Sequence, residues 1–493
     1  MVRPPSALPG ALLGLALCGL VACGDNREKN PEYLLEKLRA LDGVTVEMVA
    51  TDVWPYSYFV LWFSQPIDHE SPDGPQFTQR VSLLHRDLDA PMIALTSGYW
   101  DYYRDSPFEL TELLAANQIS IEHRYFGDSR PNPPDWSKLT IRQMADDEHR
   151  IIAALRTIYP GPFLTTGPSK GGMTATYHRR FYPDDVDGTV PYVAPISFGA
   201  PDRRYPAYLN TIGPPTCRKA VRDLAVEMLS RRRSALLARA QAQAAAEGLA
   251  YTRVPLGPAL EAAVIGLEWS FWQYFGVNYC TLVPAVTASD DALWAFLDKI
   301  SPPSDNDDDG VAEFEAYYYQ AQAQLGFPDE GTTYLDPFKQ YGDADYDGAL
   351  PTARPGYDGG AAMQDIAAFV QSSGARLLFV YGEWDPWSGG KYELGDAVDS
   401  LLLVQPQGAH DAHFGRLTDQ DRASAFELLE AWTGVQPGRP QSRTGAGPRG
   451  AAGAEGAHTE LVGGDAAAAA AAAGGRGLSE PRLPTAMVRA RRF

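Results

Sequence analysis

Phe163-Leu164-Thr165-Thr166-Gly167-Pro168-Ser169-Lys170-Gly171-Gly172-Met173-Thr174-Ala175-Thr176-Tyr177-His178 is the stretch that decides the fold. Residues 163–166 read as a short apolar strand, and 173–178 read as the opening of a helix. Between them lies G-x-S-x-G, at Gly167, Ser169 and Gly171. A sharp, strained turn from strand to helix needs glycine, and it lifts the central serine hydroxyl clear of the sheet. In such an elbow the backbone N–H of the next residue, Lys170, points at a developing oxyanion. The pattern alone is common; its place between a strand and a helix gives it weight.

On either side the chain alternates strand and helix. Residues 77–86, 91–97 and 116–122 read as strands, as do 190–196, 375–381 and 401–404. Thr140 is a helix cap, and Ile141, Met144, Ile151, Ile152, Leu155 and Ile158 follow in a helical stripe that Pro160-Gly161 stops. Such alternation predicts a mostly parallel sheet covered on both faces. The pattern breaks between about 200 and 350. There, residues 220–248 and 313–325 are helical, and 259–279 are dense in Trp, Phe and Tyr. The expectation is therefore an α/β fold, an α/β-hydrolase core with an inserted helical cap. Its first part is 24–199, the cap 200–350 and its second part 351–436. The basic run Arg231-Arg232-Arg233 reads as a solvated helix face.

An elbow serine needs a base and an orienting acid, in the chain order Ser, Asp, His. The strand 377–381 is followed by Gly382-Glu383-Trp384-Asp385-Pro386-Trp387, and Asp385 stands where the acid is needed. Glu383 is its rival but lies nearer the strand. The strand 401–404 is followed by Gln407-Gly408-Ala409-His410, which makes His410 the base and His413 its local rival. A second oxyanion donor belongs in the loop after an early strand, Ser97-Gly98-Tyr99-Trp100, and the N–H of Tyr99 is the expected one.

Composition excludes other classes. The 493 residues carry 62 Asp and Glu against 42 Lys and Arg, a net charge of −20. A chain this acidic repels nucleic-acid backbones. Past the N-terminus no apolar run of ~18 residues suggests a membrane span. Four cysteines without C-x-x-C spacing offer no zinc site. Two acidic stretches, 305–310 and 343–348, begin like calcium loops, but Ala316 and Arg354 stand where the bidentate Glu is required. They read as solvated acidic loops, and no metal or cofactor is expected.

The ends read as lying outside the fold. Residues 1–23 have a positive Arg3, a short apolar stretch and the ending Leu20-Val21-Ala22-Cys23, a lipobox-like signal peptide with Cys23 as the lipidation site. The alternative is an ordinary signal cut nearby. Residues 437–493 hold eight Arg against four acidic residues and an eight-alanine run from Ala466 to Ala473. They read as a disordered low-complexity tail. The protein is thus expected to be exported and extracytoplasmic, held at a membrane only through that lipid. Exposure to oxidising surroundings makes Cys217 and Cys280 a possible disulfide, with two separate buried thiols as the alternative.

Three motifs together resemble the secreted bacterial prolyl tri/tetrapeptidyl aminopeptidases. They are Glu122-His123-Arg124-Tyr125-Phe126-Gly127-Asp128-Ser129, Gly167-Pro168-Ser169-Lys170-Gly171-Gly172 and Gly382-Glu383-Trp384-Asp385-Pro386-Trp387-Ser388. Gln65-Pro66-Ile67-Asp68-His69 and Glu268-Trp269-Ser270-Phe271-Trp272-Gln273-Tyr274 are similar too, less specifically. A more distant likeness is to lysosomal Pro-Xaa carboxypeptidase and the dipeptidyl-peptidase II group. The resemblance spans roughly 45–430. It implies a serine exopeptidase that acts on peptides, releasing short N-terminal pieces by cleavage after proline, with Ser169 as nucleophile, Asp385 as orienter and His410 as base. From the residues themselves, Trp384 and Trp387 are candidate walls for a prolyl pocket, and Glu122 or Glu383 a candidate partner for the substrate ammonium. The competing functions are a lipase or esterase with the same triad and a non-catalytic lipid-anchored binding protein.

Overall fold

The computed structural model describes residues 31–101 and 105–438. The signal-like segment with Cys23, and all but the first two residues of the tail, lie outside the described residues. Nine strands form one sheet: β1 (Val44–Val49), β2 (Ser57–Pro66), β3 (Gln76–His85), β4 (Met92–Thr96), β5 (Asn117–Ile121), β6 (Phe163–Pro168), β7 (Gly188–Tyr192), β8 (Leu378–Gly382) and β9 (Leu401–Gln405). Their spatial order is β1-β2-β3-β5-β4-β6-β7-β8-β9. β1, β2 and β3 pair antiparallel, as do β3 and β5, and every later pairing is parallel. β4, β5, β6, β7 and β8 are buried along their whole length apart from Pro168 at the end of β6, as parallel strands covered on both faces must be. The topology and the elbow between β6 and the helix Lys170–Phe181 are those of an α/β-hydrolase.

The local sequence explains the boundaries. Thr140 caps the helix Ile141–Arg156, its hydroxyl accepting from Gln143 N–H at 3.2 Å. The seventh strand is shifted from the expected 190–196, because Val193 turns to φ 44° and ends the extended run. The eighth starts at Leu378 rather than 375; Ala375 and Leu377 make only isolated bridges. β1, β2 and the helix Asp419–Thr433 were not expected from the sequence.

Residues 205–349 contain no strand among the described residues. The helices Pro215–Glu227, Arg233–Glu247, Leu256–Ile265, Asp290–Ile300 and Asp308–Gln320 share this stretch. Leu224, Met228, Leu260, Leu267, Phe271, Trp272 and Leu297 build an apolar cluster within it. The block is tied to the sheet layer rather than hung from it. Asp202 bridges to Pro328, and Leu325 packs with Ile196, Met363 and Tyr381. The basic run is not simply a solvated face. Arg233 is half-buried with its guanidinium 2.7 Å from Glu261, and Arg231 and Arg232 both clasp Glu227. Glu261 is fully buried, and a buried carboxylate needs such a partner. The first acidic stretch is also engaged. Asp307 caps the helix that follows, and Asp308 accepts from the Thr252 and Arg253 backbone N–H groups. Residues 343–349 form a short 3-10 helix.

Cys217 and Cys280 form a disulfide that closes 63 residues of this helical block. Cross-linking a loop of that length removes conformational freedom from the unfolded chain. Replacing both cysteines by Ser is expected to lower unfolding free energy by about 2–4 kcal/mol. Denaturant titration checks this, and an unchanged midpoint would refute it.

Candidate active site

Ser169 follows β6 directly and sits at φ 55°, ψ −126°, a region that non-glycine residues adopt only under constraint. The constraint is visible. Ser169 N–H donates to Tyr192 C=O at 2.8 Å, and its own C=O receives Met173 N–H at 3.0 Å. Beside it the Thr96 hydroxyl lies 2.6 Å from Gly171 C=O and 3.0 Å from Thr166 C=O. The end of β4 and the elbow therefore touch backbone to backbone. A Cβ on Gly171 would stand 2.2 Å from Thr96 O, and one on Gly98 2.6 Å from Gly171 N. Glycine is obligatory at both positions.

Asp385 and His410 come from the loops after β8 and β9, two and three places along the sheet from β6. Asp385 is wholly buried, and Oδ1 accepts from Trp387 N–H at 3.1 Å while Oδ2 meets His410 Nδ1 at 2.7 Å. Asp385 thereby caps the short helix Pro386–Gly390, which fixes its rotamer. A proton on Nδ1, facing the carboxylate, leaves Nε2 as the basic nitrogen. The backbone N–H of His410 donates to Gln273 C=O of the helical block at 3.0 Å. His413 is not on the acid; its Nδ1 lies 2.8 Å from Asp411 O.

Around this pair stand the aromatic residues. The Trp387 ring is 6.3 Å from His410, 5.1 Å from Trp269 and 6.2 Å from Tyr205. Trp384 meets Trp272 edge-on at 6.3 Å. Glu383 is exposed beside them, one oxygen accepting from Gln407 N–H at 2.7 Å. Tyr99 is half-buried between Trp100 and Phe126, and its N–H has Ser97 Oγ at 3.3 Å.

Glu122 does not lie where a substrate ammonium can use it. Its carboxylate is buried and accepts from the backbone N–H groups of Asp101, Asp128 and Ser129 and from the Ser129 hydroxyl. It ties two loops together, and this corrects the expectation of a substrate-binding role. Burial, with Asp101 beside it, pushes its carboxyl up to about 7. Other buried ionisable groups were not foreseen. Burial raises the Glu148 carboxyl well above its usual range and lowers the Lys170 ammonium and the His123 imidazole well below theirs. Glu330, on a loop of the helical block, is pushed up to about 7 by burial and by Asp329. Lys170 and His123 stand inside quoted motifs, but no local pattern announces the burial of any of these residues, since their surroundings come from distant segments. Among the described residues no cluster of His, Cys, Asp and Glu is arranged to hold a metal.

The profile of the PS-10 peptidase S37 family matches residues 34–456. The chain belongs to this family. The S37 peptidase is 40% identical over 393 residues to the prolyl tri/tetrapeptidyl aminopeptidase of Streptomyces mobaraensis, covering 78% of this chain and 81% of that protein. The human lysosomal Pro-X carboxypeptidase is 29% identical over 160 residues, 28% of this chain and 32% of its own. Among solved structures, proline iminopeptidase from Mycobacterium smegmatis overlaps 76% of this chain and 98% of its own at 15% identity, with a TM-score of 0.35. The S37 peptidase is a serine peptidase, and its α/β-hydrolase fold is read from its own strand order. No helix among its described residues is long and apolar enough to cross a membrane.

The titration of Glu122 has a measurable sign. A carboxyl that titrates near 7 when folded and near 4.5 when unfolded binds its proton more tightly in the native state. Its stabilising share is complete at acid pH and is lost as pH rises from about 4.5 to about 7. Across that range wild type is expected to lose stability relative to Glu122→Gln. Urea unfolding at about pH 5 and about pH 7.5 tests it, and parallel behaviour of the two proteins would overturn the assignment.

Proposed function

We propose that this peptidase removes short peptides from free N-termini by cleaving after proline. Ser169 is the nucleophile, His410 the base and Asp385 the residue that orients it. The single observation that carries the reading is the His410 Nδ1–Asp385 Oδ2 contact at 2.7 Å, on the loops after β8 and β9 of the same parallel sheet whose β6 leads into the strained Ser169 elbow. Its support from relatives is the similarity to the Streptomyces mobaraensis enzyme.

His410 Nε2 takes the Ser169 hydroxyl proton as Oγ bonds to the prolyl carbonyl carbon. The carbonyl oxygen becomes an oxyanion held by the N–H groups of Lys170 and Tyr99. Collapse breaks the C–N bond, and His410 returns the proton to the leaving amine. A water molecule, deprotonated by His410, then attacks the acyl-enzyme, and the same steps release the proline-terminated peptide. Trp384 and Trp387, with Trp269 and Tyr205, supply flat apolar walls for the proline ring. Glu383, exposed and with a free oxygen, is the remaining acidic residue of the sequence reading for the substrate ammonium. Residues 200–350 act as a cap over this centre, set between core segments 24–199 and 351–436.

A free peptide with proline at the cleaved position is expected to exceed its alanine analogue about 10–200-fold in kcat/KM, the range an apolar pocket discriminates. N-acetylation should lower kcat/KM further. A panel of free and acetylated peptide amides and acyl esters measures both. Equal rates on free and acetylated peptides would overturn the exopeptidase reading, and faster turnover of esters with no proline preference would favour an esterase.

The protein works outside the cytoplasm, anchored by lipid on Cys23. The lipobox-like sequence supports this, as does a disulfide of the kind that persists in oxidising compartments. Cys23→Ser should move the protein from the detergent phase to the aqueous phase with activity intact; retention in the detergent phase would count against the anchor.

A further inference from the structure

Lys170 follows the elbow serine, yet its side chain turns inward and is 2% exposed. Its Nζ donates to Gly98 C=O at 2.5 Å and lies 5.2 Å from the ring centres of both Tyr99 and Phe126. A buried ammonium is costly unless such groups meet it. None of the steps above uses it.

The acceptor is what makes this contact informative. Gly98 C=O and Tyr99 N–H belong to one peptide group. That bond is trans, so the carbonyl and the N–H point to opposite sides. Holding the carbonyl fixes the direction of the N–H. A hydrogen bond from Lys170 Nζ also draws electron density from the carbonyl and makes the N–H on the far side a stronger donor. Gly98 itself sits at φ 73°, and no Cβ fits between it and Gly171, so the loop lies directly on the elbow. Tyr99 N–H lies 3.3 Å from Ser97 Oγ, a long contact that an oxyanion can replace.

We propose that the Lys170 side chain is a positioning residue for the oxyanion hole, aiming and polarising the Gly98–Tyr99 peptide, while the backbone N–H of the same residue supplies the other donor. The proposal rests on the oxyanion reading given under the proposed function. It makes Lys170 act twice at the same intermediate, once through its backbone and once through the loop it pins.

The test separates this role from a structural one. Lys170→Met keeps bulk and removes the donor. Losing one oxyanion donor costs about 10²–10³ in kcat, so weakening one is expected to cost about 10–100-fold. KM and the affinity for the product peptide should stay within about threefold. Affinity for a peptide aldehyde, whose tetrahedral adduct places an oxyanion in the hole, should fall by the same factor as kcat. Lys170→Gln, too short to reach Gly98, is a second variant and should show the same split. Lys170→Arg, which retains donors, should recover part of the loss. A folded Met or Gln variant with kcat within threefold of wild type would overturn the proposal. So would equal losses in aldehyde and product affinity, which indicate general damage. Ser169→Ala in parallel distinguishes the two levels. Activity in that variant rejects the triad reading, whereas its inactivity beside an unimpaired Lys170→Met rejects the positioning role alone.

Discussion

The site depends on one steric constraint: the end of β4 and the elbow after β6 meet with no side chain between them. Thr96 lies between the carbonyls of Thr166 and Gly171, and Gly98 rests on Gly171 N. The parallel register Leu95↔Thr166 brings them level. Everything chemical about Ser169 follows from that contact. Its positive φ is tolerated because the elbow is fastened on one side by Tyr192 C=O and on the other by Thr96. Strain here is held in place by many backbone contacts, so the hydroxyl does not rely on its own rotamer preference for its exposure.

The second half of the site is fastened differently. Asp385 and His410 hang on loops after β8 and β9, which pair in register from Leu378↔Leu401 to Gly382↔Gln405. Glu383 N–H bonds to Gln405 C=O and Trp384 N–H to Gly408 C=O, so the two loops continue the ladder beyond the strands. The acid–base pair is therefore as rigid as the sheet edge that bears it, although both residues lie outside any strand. Rigid placement of this kind keeps the reorganisation needed during reaction small.

Much of this was legible in the sequence, for identifiable reasons. Parallel strands buried on both faces appear as compact apolar runs, so β4 and β6 stood out at 91–97 and 163–166, and the partly buried β9 showed a similar run at 401–404. The placement of Ser169, Asp385 and His410 just after β6, β8 and β9 was legible because each follows such a run. β1 was not: it is a half-exposed edge strand whose Val44-Thr45-Val46-Glu47-Met48-Val49 carries little apolar contrast. Glu122 was read wrongly because its partners, Asp101, Asp128 and Ser129, lie on loops whose convergence no local pattern announces. The basic run failed for the same reason, since Glu261 lies on another helix. Side-chain roles set by distant segments are the part a linear reading loses.

The helical block and the catalytic centre are one mechanical unit. His410 N–H is held by Gln273 C=O, and Trp384 and Trp387, which flank Asp385, pack into the same apolar cluster as Leu267, Trp269 and Trp272. Tyr208 reaches across from the same block to donate its hydroxyl to Glu383 C=O at 2.6 Å. A block that moved away as a rigid lid would have to break the backbone bond to the base and withdraw aromatic walls from the acid's loop. Such a displacement would disturb the residues to which the proposed mechanism assigns the chemistry. The contacts instead favour a block that stays seated, with its aromatic residues packed against the loop of Asp385. In the proposed mechanism discrimination and catalysis would draw on the same packed side chains, and substitutions in the helical block reach His410 through its bond to Gln273 C=O rather than through distance.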